Sequence, residues 1–491
     1  MDNTAILSND VYERARLSRD VRFDGRFYVG VRTTGIYCRP ICPANPPKSE
    51  NVTFYPTAAA ASEAGHRPCL RCRPECAPGT PAWAGTSTTV QRGLRLIADG
   101  ALDDGNVEKL ADRLGVTSRH LRRLFTRHVG ASPLAVAHTQ RLHFAKRLID
   151  ETALSMQEIS VAAGFGSVRR FNDTFRKTYG RTPRELRRGR DAAVATSALS
   201  VLLPCRQPYA WQELLGFFDG RATPGVEVVE QGRYLRSIEV GGRHGVIDVS
   251  LGDGALRLAV HGAGIESLFS IVQRARSMFD LDAAIDDITT TLQQDRELRG
   301  WLKQHAGLRV PGAWDGFELT VRAILGQQVS VKAATTFAGR IAARYGEKID
   351  VTVADTGNAP TRLFPTPRKL QRARLESLGI IRSRAQTIRD LSRAVVSGKL
   401  SFDTAQDLDG LRAALTSIRG IGDWTAEYVA MRAFKDPDAF PASDLGLLRA
   451  FDGPTNERMR PAELLARADA WRPWRAYAAL LIWGSERGAG G

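Results

Sequence analysis

Cys38-Arg39-Pro40-Ile41-Cys42 and Arg67-Pro68-Cys69-Leu70-Arg71-Cys72 are two close pairs of thiols, with twenty-six residues between Cys42 and Cys69. This is the layout of a tetrahedral zinc site. Each pair is too close in sequence to staple distant segments, and the loop is long enough to fold the second pair back onto the first. Zinc keeps such ligands as thiolates at neutral pH, so one ion held by Cys38, Cys42, Cys69 and Cys72 is expected. Spacing alone fits a closed structural knot as well as a reactive centre. Cys76 and Cys205 fall outside the pattern and read as inert thiols, and a chain with most of its cysteines committed to metal suits a reducing interior.

Outward from this stretch, 491 residues are enough for three or four domains, each with its own core. The net charge of +16, carried largely by arginine, points to nucleic acid or another acidic surface. The first ten residues are polar and acidic, without the apolar run of a signal peptide. The longest apolar stretch, residues 476–483, is far too short to cross a bilayer, so no membrane partner is expected.

The wording around the thiols narrows the choice. Thr33-Thr34-Gly35-Ile36-Tyr37 before Cys38, Asn51-Val52-Thr53-Phe54-Tyr55 behind it and the Arg67–Cys72 run resemble the amino-terminal domain of the Ada family over about the first 75 residues. The resemblance implies that Cys38 takes a methyl group irreversibly from a methylated DNA phosphate, with Thr34, Arg67 and Arg71 touching the backbone. Where family members often carry arginines after the second ligand, this chain has Pro43 and Asn45. The charges suit the chemistry. Four thiolates on one divalent ion carry a net minus two, which repels an ordinary phosphate and admits a neutral methyl phosphotriester. Methylation of Cys38 removes one negative charge. At roughly 6 Å and an effective dielectric of about 20–80 this relieves about 0.7–3 kcal/mol per nearby phosphate, enough to tighten DNA binding.

Residues 77–89 are rich in small residues and proline and mark a boundary. Beyond them Val107, Leu110, Ala111 and Leu114 share a helical face, Gly115-Val116-Thr117 turns, and Ser118 is positioned to cap a helix over residues 119–128. The pattern recurs with Ile159, residues 161–163, the turn Gly164-Phe165-Gly166 and the cap Ser167. Both helices end alike, at Gly130-Ala131-Ser132-Pro133 and Gly180-Arg181-Thr182-Pro183. This is a tandem helix-turn-helix. The second unit, with Phe171, Phe175 and Tyr179 before its stop, resembles the AraC-type transcription-factor domain, which implies two recognition helices in successive major grooves. Arg119 and Arg122 on the first, and Arg169 and Arg170 on the second, are the DNA-binding candidates. His120, Arg123, Asn172 and Asp173 are their polar neighbours, and any single arginine can equally hold a phosphate or face solvent.

After a second polar linker at residues 187–200, the runs 226–229, 234–240, 245–249 and 256–260 alternate like strands, broken by Gly-Gly and Asp-Gly turns. From Leu268 helices dominate. An apolar helix over 411–418 leads into Arg419-Gly420-Ile421-Gly422-Asp423-Trp424, where Gly420 and Gly422 permit a sharp turn and a helix start offers free N–H groups to a phosphate. This resembles the helix-hairpin-helix of base-excision DNA glycosylases, and Phe440-Pro441-Ala442-Ser443-Asp444 follows where that superfamily keeps its catalytic aspartate. Phe317, the run Val321–Ser330, Phe364-Pro365-Thr366-Pro367 and the stretch Trp471–Trp483 extend the likeness to the AlkA-type 3-methyladenine DNA glycosylases over about residues 203–486.

The resemblance implies that an alkylated purine is flipped out and stacked on Trp424, Tyr428 and Trp483, where cation–π attraction favours a charged base. It implies that Asp444 stabilises the oxocarbenium-like sugar and helps a water attack it. Core packing would otherwise account for each ring, and a helix cap for Asp444. Bifunctional lyases carry a lysine where this chain has Trp424, so strand cleavage is not expected. Gln328 stands where a leucine wedge would fill the gap left by the flipped base. A monovalent cation at hairpin carbonyls near Thr416, Ile418 and Gly420 is a further family implication.

The whole reads as a multidomain α+β chain. It comprises a small zinc-binding α/β domain (1–78), an all-α tandem helix-turn-helix domain (86–190), a mixed α/β part (203–285) and an all-α helix-hairpin-helix domain (286–491). The expected function is an adaptive response to DNA alkylation: a suicidal methyl acceptor that regulates transcription, fused to a monofunctional glycosylase. Its expected partners are alkylated and promoter DNA and RNA polymerase, with the chain a monomer in the bacterial cytosol. Two other readings stay open here. In one the carboxyl-terminal half only grips DNA, and in the other the front half is a plain anchor with structural zinc. Cys205 as a second alkyl acceptor lacks an activating histidine in Pro204-Cys205-Arg206.

Overall fold

The computed structural model describes residues 8–78, 88–98, 100–102, 105–188, 199–252, 254–354, 356–402, 407–451 and 459–489. Most of the two expected linkers lies outside these residues. The chain divides into two compact units, the first comprising Met1–Cys205, Asp253–Ala259 and Ala263–Gln273, the second the remainder.

In the first unit, α1 (Asn9–Ser18) precedes β1 (Tyr28–Val31), β2 (Ile36–Cys38), β3 (Val52–Tyr55), α2 (Ala58–Glu63) and β4 (Arg67–Pro68). The strands form one sheet in the order β3-β1-β2-β4. Gly35, at φ +61°, completes the turn between β1 and β2 at little steric cost. Parallel pairing of β2 with β4 sets Ile36 opposite Arg67 and Tyr37 opposite Pro68. That register brings the next residues, Cys38 and Cys69, to the same end of the sheet. Phe27, Val29 and Ala15 fill one face beneath Tyr12, Phe23 and Phe54.

Seven helices follow: α3 (Thr88–Ala98), α4 (Val107–Arg113), α5 (Ser118–Val129), α6 (Pro133–Glu151), α7 (Met156–Ala162), α8 (Val168–Tyr179) and α9 (Pro183–Arg188). The two helix-turn-helix units are α4–α5 and α7–α8. Thr117, not Ser118, caps α5, accepting the His120 N–H at 3.2 Å, and Ser118 is the first helical residue. Ser167 caps α8 as expected. The buried faces correspond, with Leu121, Phe125 and Val129 in one helix and Phe171, Phe175 and Tyr179 in the other. Both end on a left-handed glycine, Gly130 at φ +74° and Gly180 at φ +67°.

The zinc-ligand sheet and the helices share one interior. The Tyr37 hydroxyl, next to Cys38, lies 2.8 Å from His143 Nε2 on α6. Burial pushes the His143 imidazole down to about 4. Arg73 and Lys146 meet Asp150 at 2.7 and 2.6 Å. A Cβ at Gly130 would stand 2.9 Å from Pro56, so glycine is needed there for close approach as well as for the turn. The strand β5 (Leu199–Pro204) begins where the sequence reads as linker, a short apolar run with no turn signal to separate it from the preceding polar stretch.

The second unit begins with α10 (Trp211–Asp219) and the antiparallel meander β6 (Glu227–Glu230), β7 (Arg233–Val240), β8 (Arg243–Leu251). Gly241 and Gly242, both at positive φ, form the two-residue turn between β7 and β8. The segment β9 (Ala255–His261) and helix α11 (Leu268–Met278) come next in the chain. Glu227, Arg236, Glu318 and Arg322 form a buried ion network, with Arg322 2.8 Å from Glu227 and 3.1 Å from Glu318. Tyr234 donates to Glu227 at 2.6 Å, and Arg236 donates to both carboxylates.

The helical part runs α12 (Ile285–Leu292), α13 (Arg296–Gln304), α14 (Gly316–Gly326), α15 (Val331–Tyr345), α16 (Pro367–Leu370) and α17 (Arg382–Val396). It continues with α18 (Leu408–Thr416), α19 (Asp423–Ala433), α20 (Leu445–Arg449), α21 (Pro461–Ala468) and α22 (Arg475–Ala489). The helix expected over 411–418 is thus displaced toward the amino terminus. Val321, Ile324, Ile341, Leu370, Ile388, Leu411, Leu415, Ile421 and Val429 build its core. Each contributes about 1.5–3 kcal/mol by leaving water. No helix among the described residues is long and apolar enough to cross a membrane.

Candidate functional site

At the amino-terminal site the four sulfurs of Cys38, Cys42, Cys69 and Cys72 lie within 4.8 Å of one another. Thiolates 2.3 Å from a shared tetrahedral ion would stand about 3.8 Å apart, so the cluster fits zinc with small adjustment. The crowded thiols perturb each other. Hydrogen bonding with Cys42 leads the causes that raise the Cys38 thiol, and hydrogen bonding with Cys38 leads those that lower Cys69. Arg39 braces the ligand loops. Its N–H donates to Cys72 Sγ at 3.3 Å, and its guanidinium donates to the Cys72 carbonyl at 3.1 Å and to Asp24 at 2.8 Å. Cys38 and Cys42 are half-buried, whereas Cys69 and Cys72 are buried. Thr34, Arg67 and Arg71 are exposed around them.

On the helix-turn-helix units, Arg119, Arg122, Arg169 and Arg170 are all exposed. Arg119, Arg169 and Arg170 sit in the first turns of α5 and α8, while Arg122 leans on Glu108 at 3.3 Å.

In the second unit the hairpin connects α18 to α19. Gly420 has φ +94°, and a Cβ there would lie 2.3 Å from Thr387 Oγ1. Gly422 is the N-cap of α19 with no side-chain cap, and a Cβ on it would meet nothing within 4 Å. The first N–H groups of α19 thus receive no side-chain cap from Gly422, and a ligand can come close to the backbone there, as a phosphate site requires. Gln328 is exposed at φ 55° in the short loop between α14 and α15. Its neighbour Gln327 had no role in the sequence reading, yet its amide donates to the Gly420 carbonyl at 3.0 Å and to Thr425 Oγ1 at 3.2 Å. Two of the carbonyls named for a cation already accept hydrogen bonds, Gly420 from Gln327 and Ile418 from the Ile421 N–H at 3.0 Å.

Asp444, Trp424, Tyr428 and Trp483 come together from α19, α22 and the start of α20. The Asp444 carboxylate accepts the Trp424 indole N–H at 2.7 Å and the Trp483 indole N–H at 2.9 Å. It also caps α20, accepting the Gly446 and Leu447 N–H groups at 2.9 and 3.1 Å. Trp424 and Tyr428 are stacked, with ring centroids 5.2 Å apart and planes 10° from parallel, and Trp483 stands edge-on to Tyr428 at 6.4 Å. A third ring sandwiched between Trp424 and Tyr428 would need about 7 Å between their planes, twice the optimal contact distance. The two stacked rings therefore leave no room for a third between them. Arg432, also absent from the sequence reading, donates to the Tyr428 hydroxyl at 2.5 Å and to the carbonyls of Pro311 and Gly312 at 2.8 and 3.1 Å. Burial works to raise the Tyr428 hydroxyl, and the Arg432 guanidinium with its neighbours outweighs that and lowers it.

Four family models match successive parts of the chain: residues 12–75 (metal binding domain of Ada), 110–189 (helix-turn-helix domain), 200–315 (AlkA N-terminal domain) and 321–476 (HhH-GPD superfamily base excision DNA repair protein). A probable bifunctional transcriptional activator/DNA repair enzyme AlkA of Mycobacterium tuberculosis is 41% identical over 475 residues, 96% of this chain and 95% of that one. DNA-3-methyladenine glycosylase 2 of Escherichia coli is 35% identical over 287 residues, 57% of this chain and 95% of its own. The solved 3-methyladenine DNA-glycosylase from Archaeoglobus fulgidus aligns with a TM-score of 0.51 at 21% identity, over 60% of this chain and 99% of that one, a likeness of fold. The chain belongs to the family of bifunctional transcriptional activator/DNA repair enzymes that the mycobacterial protein represents.

Proposed function

We propose that the protein answers DNA alkylation in two ways, excising alkylated bases through its second unit and sensing methylated phosphates through its first. The observation that carries the reading is the Asp444 carboxylate held beside three aromatic rings at the end of a helix-hairpin-helix.

In excision, backbone N–H groups at Gly422 and the start of α19 hold a phosphate, and Gln328 occupies the place of the flipped nucleotide. A cationic base, 3-methyladenine being the lead candidate, rests against Tyr428 and Trp483. The glycosidic bond breaks with its electron pair leaving on the base. The deficit at the sugar faces Asp444, whose charge no lysine or arginine pairs with among the described residues, so its field is available to the developing cation. Water completes the hydrolysis and gives its proton to solvent. Trp424 occupies the place where a lyase would keep an amine, so the reaction stops at the abasic site.

In sensing, Cys38, Cys42, Cys69 and Cys72 would hold zinc, which when bound keeps the sulfurs ionised. Cys38 Sγ attacks the methyl carbon of a phosphotriester; the S–C bond forms, the C–O bond breaks, and the phosphodiester leaves with the electron pair. Thr34, Arg67 and Arg71 grip the flanking backbone, while Arg119, Arg122, Arg169 and Arg170 engage promoter DNA. The lost negative charge tightens that grip, which would favour recruitment of RNA polymerase by a monomeric, cytosolic activator. A monovalent cation on the remaining lone pairs at Thr416, Ile418 and Gly420 is a subsidiary proposal, tested by the potassium dependence of duplex affinity.

The test is release of 3-methyladenine from methylated duplex by wild type and by Asp444→Asn. Wild type is expected to release the base and the variant to be slower by about 100-fold or more, the scale of losing one preorganised charge-stabilising group. Equal rates would remove the enzymatic reading and leave a half that only grips DNA.

A further inference from the structure

We infer that Trp424 and Trp483 are positioning residues for Asp444, acting through their indole N–H groups and not only through their ring faces. The inference rests on the glycosylase reading of this site. Three donors converge on Asp444 Oδ1: the Gly446 N–H at 2.9 Å, the Leu447 N–H at 3.1 Å and the Trp483 Nε1–H at 2.9 Å. A carboxylate oxygen has two in-plane lone pairs, so Oδ1 is saturated. Among the described residues Oδ2 accepts from Trp424 Nε1 alone, at 2.7 Å, which leaves one lone pair open.

Oδ2 is therefore the working oxygen. The two indoles fix the rotation of the carboxylate, so its single open position has one direction in which to meet the sugar. The helix cap alone would not do this. Gly446 and Leu447 anchor Oδ1 but leave the plane of the carboxylate free to turn about it. Two donors from different helices, Trp424 in α19 and Trp483 in α22, remove that freedom. All four donors are neutral, so the carboxylate is oriented without its charge being cancelled, as stabilisation of a developing cation requires.

The experiment uses the full-length protein and two duplexes, one with a cationic N7-methylpurine and one with a neutral damaged purine of the same ring size. Trp424→Phe and Trp483→Phe keep an aromatic ring and delete the N–H. Single-turnover excision is expected to fall at least tenfold, by a similar factor on both duplexes, with affinity for undamaged duplex within about twofold of wild type. Trp424→His puts a ring N–H at the same reach from the backbone and is expected to recover part of the rate that Trp424→Phe loses. A loss confined to the cationic base would assign the indoles to stacking alone, and no loss, or no difference between His and Phe at residue 424, would equally overturn the inference. Failure of the glycosylase reading looks different, because wild type itself would then release no base and Asp444→Asn would match it.

Discussion

Gly420 and Gly422 stand two residues apart in the same hairpin, yet they are glycine for different reasons. Gly420 is held at φ +94° with Thr387 Oγ1 pressed against it, and that hydroxyl donates to the Arg419 carbonyl at 2.9 Å. Gly422 has φ −104° and open space around it. Gly420→Ala is expected to cost about 1–3 kcal/mol in strain, visible as a lower melting temperature together with weaker DNA binding. Gly422→Ala should leave the melting temperature unchanged and weaken only the duplex affinity, by crowding the phosphate. Thermal scans and fluorescence anisotropy of both variants decide; equal melting losses would contradict the distinction. The motif singled out Asp444, Trp424 and Tyr428 in the sequence, position in the chain added Trp483, and the structure brings the four together. What the sequence could not show is that both tryptophans turn their N–H edges to Asp444, because ring rotation follows from packing between helices and leaves no trace in spacing. Gln327 was invisible for a similar reason, since an amide beside a loop reads as surface until the hairpin it serves folds against it.

At the scale of elements, local chemistry located most helices and strands and missed where long-range contacts decide. The two helix-turn-helix units were readable from their caps and their Gly-x-x-Pro stops. The error at Ser118 arose because Thr117 and Ser118 are both good caps, and only backbone geometry chooses between them. The meander β6–β8 was readable from alternation and its Gly-Gly turn. The ion network behind it was not, since the pair Glu227 and Arg236 lies far in sequence from the pair Glu318 and Arg322, and each pair alone looks like ordinary surface charge. Burial works to raise the Glu227 carboxyl, and the guanidiniums of Arg322 and Arg236 with the Tyr234 hydroxyl outweigh it and hold it at about 2. A carboxyl depressed from its ordinary 4.5 contributes its full stabilisation above that value and loses it as pH falls toward 2. The contribution is on the order of 2–3 kcal/mol. Glu227→Gln should destabilise the second unit by about 3–5 kcal/mol at neutral pH, by leaving two buried guanidiniums short of a partner. It should also flatten the acid unfolding curve between pH 4.5 and 2, followed by circular dichroism. A variant with the wild-type urea midpoint and acid limb would show that the network carries no such load.

Across the molecule, the proposed function puts two chemistries of opposite electrostatic sense on one chain. In that proposal the carboxylate at Asp444 attracts a developing positive charge, and the thiolate cluster at Cys38 repels phosphates until it is alkylated. Both candidate centres could be picked out in the sequence because each depends on short motifs of rare residues. It could not show that the thiolate sheet and the tandem helices form one compact unit, joined by Tyr37 and His143 and by Arg73 and Lys146 on Asp150. That union ties the proposed methyl acceptor, Cys38, directly to the helices that would read a promoter, and on this proposal the regulatory half turns on the fate of Cys38. The most direct measurement is peptide mass mapping of the zinc-loaded, full-length protein after incubation with duplex carrying both methyl phosphotriesters and methylated purines. The peptide containing Cys38 is expected to gain one methyl group, while those containing Cys42, Cys69 and Cys72 stay unmodified and alkylated base appears in solution from the same reaction. Base release with no methyl on Cys38 would contradict the account and leave a glycosylase with an inert zinc anchor.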